Sequence, residues 1–345
     1  MQPGCYTALI TPFDNGNAVD AAGLEKLITF QIENGINGIL AVGTTGESPT
    51  LDWDEHIRVI DAIAGQARNR CACIAGTGSN NTAETLEATR HAVKSGCEAV
   101  LLVDPYYNGP SSLEIRREYV APVAREFPGT TVIPYVIPGR TGAQMFPEDL
   151  AILFKDHPNV GCVKEATGSL ENMRRTRRCC GDQYLILSGD DGITHDMMTD
   201  PDIRGGGVIS VMANIAPKAV TDLVAHILEG RTDAAKSTFD ELKPLFDIVS
   251  IKTTEKTPYG EVTCRARNPL PVKTLMQILG MPAGPCRQPL GKMTQAGLDT
   301  VLEAARKVQA DAPHVLAPAA DFFGIDIEQR LNDPKYAEGL AYEEY

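Results

Sequence analysis

Eight short apolar segments rich in β-branched residues recur along the first two thirds of the chain, and their spacing limits the folds open to it. They lie near Tyr6–Ile10, Gly38–Val42, Ala72–Ala75, Ala99–Val103, Thr131–Val136, Val160–Lys164, Tyr184–Ser188 and Val208–Val211. Each is a near-continuous apolar run, the pattern of a strand buried on both faces. Segments of helical periodicity separate them, among them Ala21–Glu33, Trp53–Arg68, Thr82–Lys94 and Leu113–Glu126. Pro147 suits the first turn of a helix, and Gly35, Gly96 and Gly129 suit left-handed helix ends. Eight βα units with no dinucleotide fingerprint favour a closed (β/α)8 barrel over an open doubly wound sheet.

A barrel of this kind needs about 250 residues, and the chain has 345. Beyond Val211 the pattern changes to helices alone, over Pro217–Glu229, Thr232–Ile248, Pro271–Leu279 and Gln295–Val308. The polar stretch Ser250–Asn268, with Pro258 and Gly260, reads as an extended loop. Residues 310–345 hold eight acids and two bases, a net of −6. They read as a solvated or loosely docked tail, or as an arm packing on a partner subunit through Phe322, Phe323 and Ile325. The expected division is a catalytic barrel over 1–228, a helical subdomain over 229–309 and an acidic extension over 310–345.

The net charge of −13 argues against a general nucleic-acid or anionic-membrane surface. No run reaches the ~18 apolar residues of a membrane span, and the first residues lack the basic and apolar regions of a secretory signal. The nine cysteines are odd in number and several lie in apolar runs, which suits reduced thiols in a cytoplasmic protein. Neither C-x-x-C nor H-E-x-x-H occurs, so no metal is expected.

Barrel enzymes work where the strands end and the βα loops gather. Lys164 closes the apolar stretch NVGCV there. An amine held against a low-dielectric core loses proton affinity and, once neutral, can attack a ketone; the other reading is a lysine that caps its strand and reaches to solvent. Tyr135 ends the neighbouring strand, where a phenol can pass protons, although a strand tyrosine can equally be core. Thr44 and Thr45 lie between Gly43 and Gly46, in a loop whose amides and hydroxyls can grip a carboxylate. The guanidinium fork of Arg140 suits a second carboxylate, or a salt bridge at the barrel rim.

The motifs GTTGES, DPYYN, Y-x-x-P-x-R-T-G, K-E-A-T-G, S-G-D-D and GGVISV occur in this order over residues 3–305. This set resembles the dihydrodipicolinate synthase / N-acetylneuraminate lyase family of pyruvate-dependent class I aldolases. GTTGE with YYN is most similar to the synthase branch. The resemblance implies a lyase that condenses pyruvate with L-aspartate 4-semialdehyde on the way to diaminopimelate and lysine, without a cofactor, as a homotetramer. It implies that Lys164 is the Schiff-base lysine and Tyr135 the proton-relay tyrosine. Thr44 links the two tyrosines of the relay, and Tyr107 is lent across a dimer interface. Thr45 holds the pyruvate carboxylate through its backbone, Arg140 receives the aldehyde's carboxylate, and Gly189 and Ile209 line the pyruvate pocket.

The resemblance also implies an effector site for lysine at Ser48, Trp53, His56, Asn80, Glu84 and Tyr106. The residues alone give Asn80 and Glu84 another role, in opening the helix that follows the third strand. One departure bears on the substrate. Val136 stands where the family usually has Asn, which leaves open a relative acting on another aldehyde, such as a sugar-acid or hydroxy-oxoglutarate aldolase. A non-catalytic barrel would be expected to lack the lysine or the tyrosine, and both are present.

Overall fold

In the computed structural model, which describes all residues from Met1 to Tyr345, eight parallel strands pair in sequence order and close on themselves. They are β1 Gly4–Ala8, β2 Gly38–Ala41, β3 Ala72–Gly76, β4 Ala99–Val103, β5 Thr131–Val136, β6 Cys162–Glu165, β7 Leu185–Ser188 and β8 Gly207–Ser210. The expected strands are all present, with ends displaced by at most two residues. Closure depends on glycine: Gly4 of β1 lies opposite Gly207 of β8, where φ is 147° and an added Cβ would sit 1.9 Å from the Gly4 carbonyl oxygen.

Side chains alternate between two apolar shells. Tyr6, Leu40, Ile74, Leu101, Ile133, Tyr135, Leu187 and Ile209 fill the barrel interior. Their neighbours on the strands face outward into a larger shell under the helices. The first helices are α1 Ala21–Glu33, α2 Trp53–Ala67 and α3 Thr82–Ser95, each begun by an aspartate or asparagine side chain that accepts an orphan amide. Residues 112–126 form α4, interrupted by a π-turn at Ile115–Val120. After these come α5 Pro147–Asp156, with Pro147 in its first turn, α6 Leu170–Cys180, α7 Thr194–Thr199 and α8 Pro217–Leu228. Gly35 and Gly96 adopt left-handed backbone as expected, and Gly129 does not.

Beyond the barrel, α9 Thr232–Asp247, α10 Leu270–Leu279 and α11 Gln295–Asp311 pack against one another and the barrel. The region is not purely helical. The expected loop at 250–268 is an antiparallel hairpin, β9 Ser250–Thr257 and β10 Gly260–Arg267, in full register from Ser250 opposite Arg267 to Thr257 opposite Gly260. Its exposure alternates along both strands, with Lys252, Thr254, Lys256, Thr263 and Arg265 outward, so its period of two is carried largely by polar residues.

The acidic extension is folded, not a free tail. It forms α12 Ala317–Phe323 and α13 Ile327–Asn332 and docks on its own chain. The rings of Phe322 and Phe323 lie 5.3 and 5.1 Å from that of Phe30 on α1, and Ile327 and Leu331 are buried. Its acids point outward while this apolar stripe packs down. No helix is long and apolar enough to cross a membrane.

Candidate active site

The register of β5 and β6 sets Tyr135 directly opposite Lys164, with the Lys164 Nζ 4.3 Å from the centre of the phenol ring. Lys164 is 4% exposed. Burial pulls its ammonium down to about 7; the Asp191 charge opposes this and the Arg140 charge adds to it. Half of the amine is therefore neutral near neutral pH, the state a nucleophile needs. Burial pushes the Tyr135 phenol up, while the Arg140 charge and the Thr44 hydroxyl pull it back. Tyr135 is thus protonated beside an amine poised to lose its proton.

Gly189, after β7, makes room for the lysine stem. A Cβ there would lie 3.1 Å from Lys164 Cε and 2.8 Å from the Ala166 side chain. Ile209 of β8 is fully buried and faces the barrel interior with Tyr135. Asp191 holds the end of β8 by accepting from the Val211 and Met212 amides at 2.9 and 3.1 Å.

The loop from Gly43 to Ser48 leaves β2 through strained backbone. Val42 and Glu47 both take positive φ, 46° and 57°, conformations that cost a non-glycine residue roughly 1–2 kcal/mol. The loop is held from the far end of the sequence. Glu47 is buried and accepts from Lys273 Nζ at 2.6 Å and from the Arg287 amide at 2.8 Å. The Arg287 guanidinium pairs with Glu55 on α2. The Thr45 hydroxyl accepts from the Asn268 side chain at 3.0 Å, and the Asn268 carbonyl accepts from Arg140 at 2.8 Å. Asn268 thereby joins the two candidate carboxylate-binding residues. Motif spacing missed Glu47, Asn268, Lys273 and Arg287 as a unit, because more than 200 residues separate the partners. Lys273, a cation inside the apolar run of α10, was the one visible signal.

Lys164, Tyr135, Thr44, Thr45, Arg140, Gly189 and Ile209 thus meet at one end of the barrel. Tyr107 does not join them: its side chain is 85% exposed. A cleft of about 420 Å³ opens beside Tyr135, Thr44 and Arg140 and continues past Ser48, Trp53, His56, Asn80 and Tyr106. In it Ser48 meets His56 Nε2 at 3.2 Å, burial pulls His56 down to about 4, and the Trp53 ring meets that of His56 edge-on. The Asn80 side-chain carbonyl accepts from the amides of Tyr106 and Tyr107. Glu84 is not in the cleft lining; its carboxylate accepts from the Ser79 hydroxyl.

Residues 1–308 match the model of the dihydrodipicolinate synthetase family. The chain belongs to that family. It is 41% identical over 295 residues to 4-hydroxy-tetrahydrodipicolinate synthase of Syntrophus aciditrophicus, covering 86% of this chain and 94% of that protein. The solved 4-hydroxy-tetrahydrodipicolinate synthase of Methylacidiphilum fumariolicum superimposes with a TM-score of 0.83 at 34% identity, over 92% of this chain and 99% of that one. The enzyme of Cyanidioschyzon merolae, solved with lysine bound, superimposes with a TM-score of 0.79 at 32% identity, over 88% and 97% of the two chains. The family match ends at residue 308, before α12 and α13.

Proposed function

We propose that the chain catalyses the reaction its relatives are named for, the formation of 4-hydroxy-tetrahydrodipicolinate from pyruvate and L-aspartate 4-semialdehyde. The observation that carries this reading is the buried Lys164 amine, its proton affinity lowered to about 7, against the face of Tyr135.

The neutral amine adds to the ketone carbon of pyruvate, and the carbinolamine loses water to give an imine. The imine then serves as the electron sink when a methyl proton leaves, so the enamine forms without metal or organic cofactor. That carbon attacks the aldehyde, and the substrate's own amine displaces Lys164 by transimination and closes the ring. Thr45 and its neighbouring amides hold the pyruvate carboxylate, Arg140 holds that of the aldehyde, and Gly189 and Ile209 shape the pocket. Tyr135, Thr44 and Tyr107 pass the protons, a role worth ~10²–10⁴-fold.

Because Tyr107 points into solvent in one chain, the relay is completed by a second copy, in keeping with a homotetramer built from dimers. The departure at Val136 lies on the outer face of β5, opposite to Tyr135 and the barrel interior. The lysine-bound relative and the cleft from Ser48 to Tyr106 support lysine as an effector. All nine cysteines are free, in keeping with a reducing cytoplasm.

The test is to trap pyruvate with borohydride, locate the adduct by peptide mass, and then assay turnover of aspartate semialdehyde with and without millimolar lysine. The adduct is expected on Lys164, with turnover that lysine lowers. Trapping without turnover of that aldehyde would assign the chain to another pyruvate-dependent aldolase.

A further inference from the structure

The hairpin β9–β10 enters the fold immediately before Asn268, the residue that joins Thr45 to Arg140. Two hydrogen bonds tie its base to the barrel mouth. Arg140 donates to the Asn268 carbonyl at 2.8 Å, and Arg267 donates to the Gly139 carbonyl at 3.1 Å. Each arginine thus reaches the residue beside the other, which sets Arg267 next to Arg140, the arginine that lines the cleft. Arg265, two residues back along β10, lies on the same face of the hairpin and donates to Ser250 at 3.3 Å.

Toward its base that face sets like charges against each other, whereas nearer the turn Glu261 lies opposite Lys256. Lys252 of β9 lies directly opposite Arg265, and like charges opposed across a ladder destabilise it. A two-stranded ribbon has little stability to spare. Arg140, Arg265 and Arg267 form no ion pair, although Arg265 shares a pocket with Glu255, Glu343 and Glu344. Elsewhere in the chain Arg116, Arg174 and Arg287 form ion pairs. The Arg265 charge acts on both Arg140 and Arg267, and the Arg267 charge acts on Arg140. Asp190 accepts from the Gly192 amide, and Asp191 from those of Val211 and Met212.

A chain of net charge −13 repels pyruvate at long range, and only a local cationic patch within about a Debye length of the entrance can reverse that. We propose that Arg265 and Arg267 form, with Arg140, a carboxylate-collecting entrance that draws pyruvate into the barrel and turns the incoming aldehyde carboxylate-first. The cost of opposing Lys252 and Arg265 is then the cost of an entrance. This rests on the reading of Lys164 as the pyruvate-binding lysine.

The experiment measures the second-order rate of borohydride-trapped adduct formation with pyruvate, at low and high ionic strength, in the full-length chain and two variants. In the unaltered chain the rate should fall as salt rises. In Arg265→Gln/Arg267→Gln it should be about fivefold lower at low salt, nearly independent of salt, and equal to the unaltered rate at about 0.5 M salt, where screening removes the attraction. Arg265→Lys/Arg267→Lys keeps the charge and should keep the rate and its salt dependence. Equal low-salt rates in the glutamine variant and the unaltered chain would overturn the proposal, as would a deficit that persists at high salt, which would mark a structural defect. An unaltered chain that forms no adduct would overturn both this proposal and the assigned reaction. An adduct with an unchanged salt slope would overturn this one alone.

Discussion

Lys164 and Lys273 are both lysines taken out of water, one at the end of β6 and the other on α10, and their surroundings differ in a single respect. The Lys273 ammonium has three protons and three acceptors: Glu47 at 2.6 Å, the Thr11 carbonyl at 3.1 Å and the Pro285 carbonyl at 3.0 Å. The face of Phe13 lies beneath it, 4.3 Å away. Burial pulls its pKa down, and the Glu47 charge opposes this in part. For Lys164 no hydrogen bond enters the balance; only the more distant Asp191 charge favours the ammonium. Burial alone therefore does not make a nucleophile. A saturated buried ammonium is a structural cation, and an unsaturated one gives up its proton and becomes reactive.

The sharpest way to break this contrast is to make Lys164 a permanent cation. Lys164→Arg keeps a long cationic side chain but holds a group that stays protonated at any working pH. Adduct formation should vanish and turnover fall by more than about 10⁴-fold, as when a covalent nucleophile is removed. Mass analysis after borohydride and steady-state kinetics read both. A variant retaining a tenth of the activity would show that another group carries the chemistry.

At Lys273 the expected effect is on folding. Lys273→Met leaves the Glu47 carboxylate buried beside the Arg287 amide without its ion-pair partner, and stability should drop by about 3–5 kcal/mol, measured by urea unfolding. Adding Glu47→Gln removes the stranded charge while keeping an acceptor for that amide, so the double variant should recover at least about 1 kcal/mol. If the single and double variants unfold at the same urea concentration, the pair does not hold the loop that carries Thr44 and Thr45.

The two lysines also differ in how far the sequence reveals them. Lys164 ends an apolar strand inside a compact motif, and parallel strands buried on both faces write their positions as unbroken apolar runs. Hence the barrel, the lysine and its tyrosine partner are all visible from the chain. The anchoring set of Glu47, Asn268, Lys273 and Arg287 joins the second βα loop to segments more than 200 residues away. No local spacing encodes such a contact. The hairpin escaped for a different reason: its alternation is written in threonines, lysines and arginines around Pro258 and Gly260, which resembles a polar loop when apolar periodicity is the guide. In the extension, Phe322 and Phe323 stand out as packing residues, but nothing local says that they meet Phe30 of the same chain.

The smallest expected effect sharpens the comparison most, because it separates burial from charge at Lys164 itself. With a pKa of about 7, the neutral fraction of the amine rises from about one-tenth at pH 6 to about nine-tenths at pH 8 and then levels. Adduct formation should follow that curve, whereas an ordinary exposed lysine would gain about tenfold per pH unit throughout this range. Asp191 is the group that favours the protonated form. Burial raises its own pKa to about 6, so it is ionised over most of the transition and holds the Lys164 value up. Asp191→Asn removes that charge while leaving an oxygen for the Val211 and Met212 amides. The midpoint should therefore move to lower pH, by less than about one unit, with the high-pH plateau retained. A midpoint that stays in place would mean that desolvation alone sets the proton affinity of the lysine. A shift upward would contradict the sign of the Asp191 contribution and, with it, the account of why Lys164 is reactive and Lys273 is not.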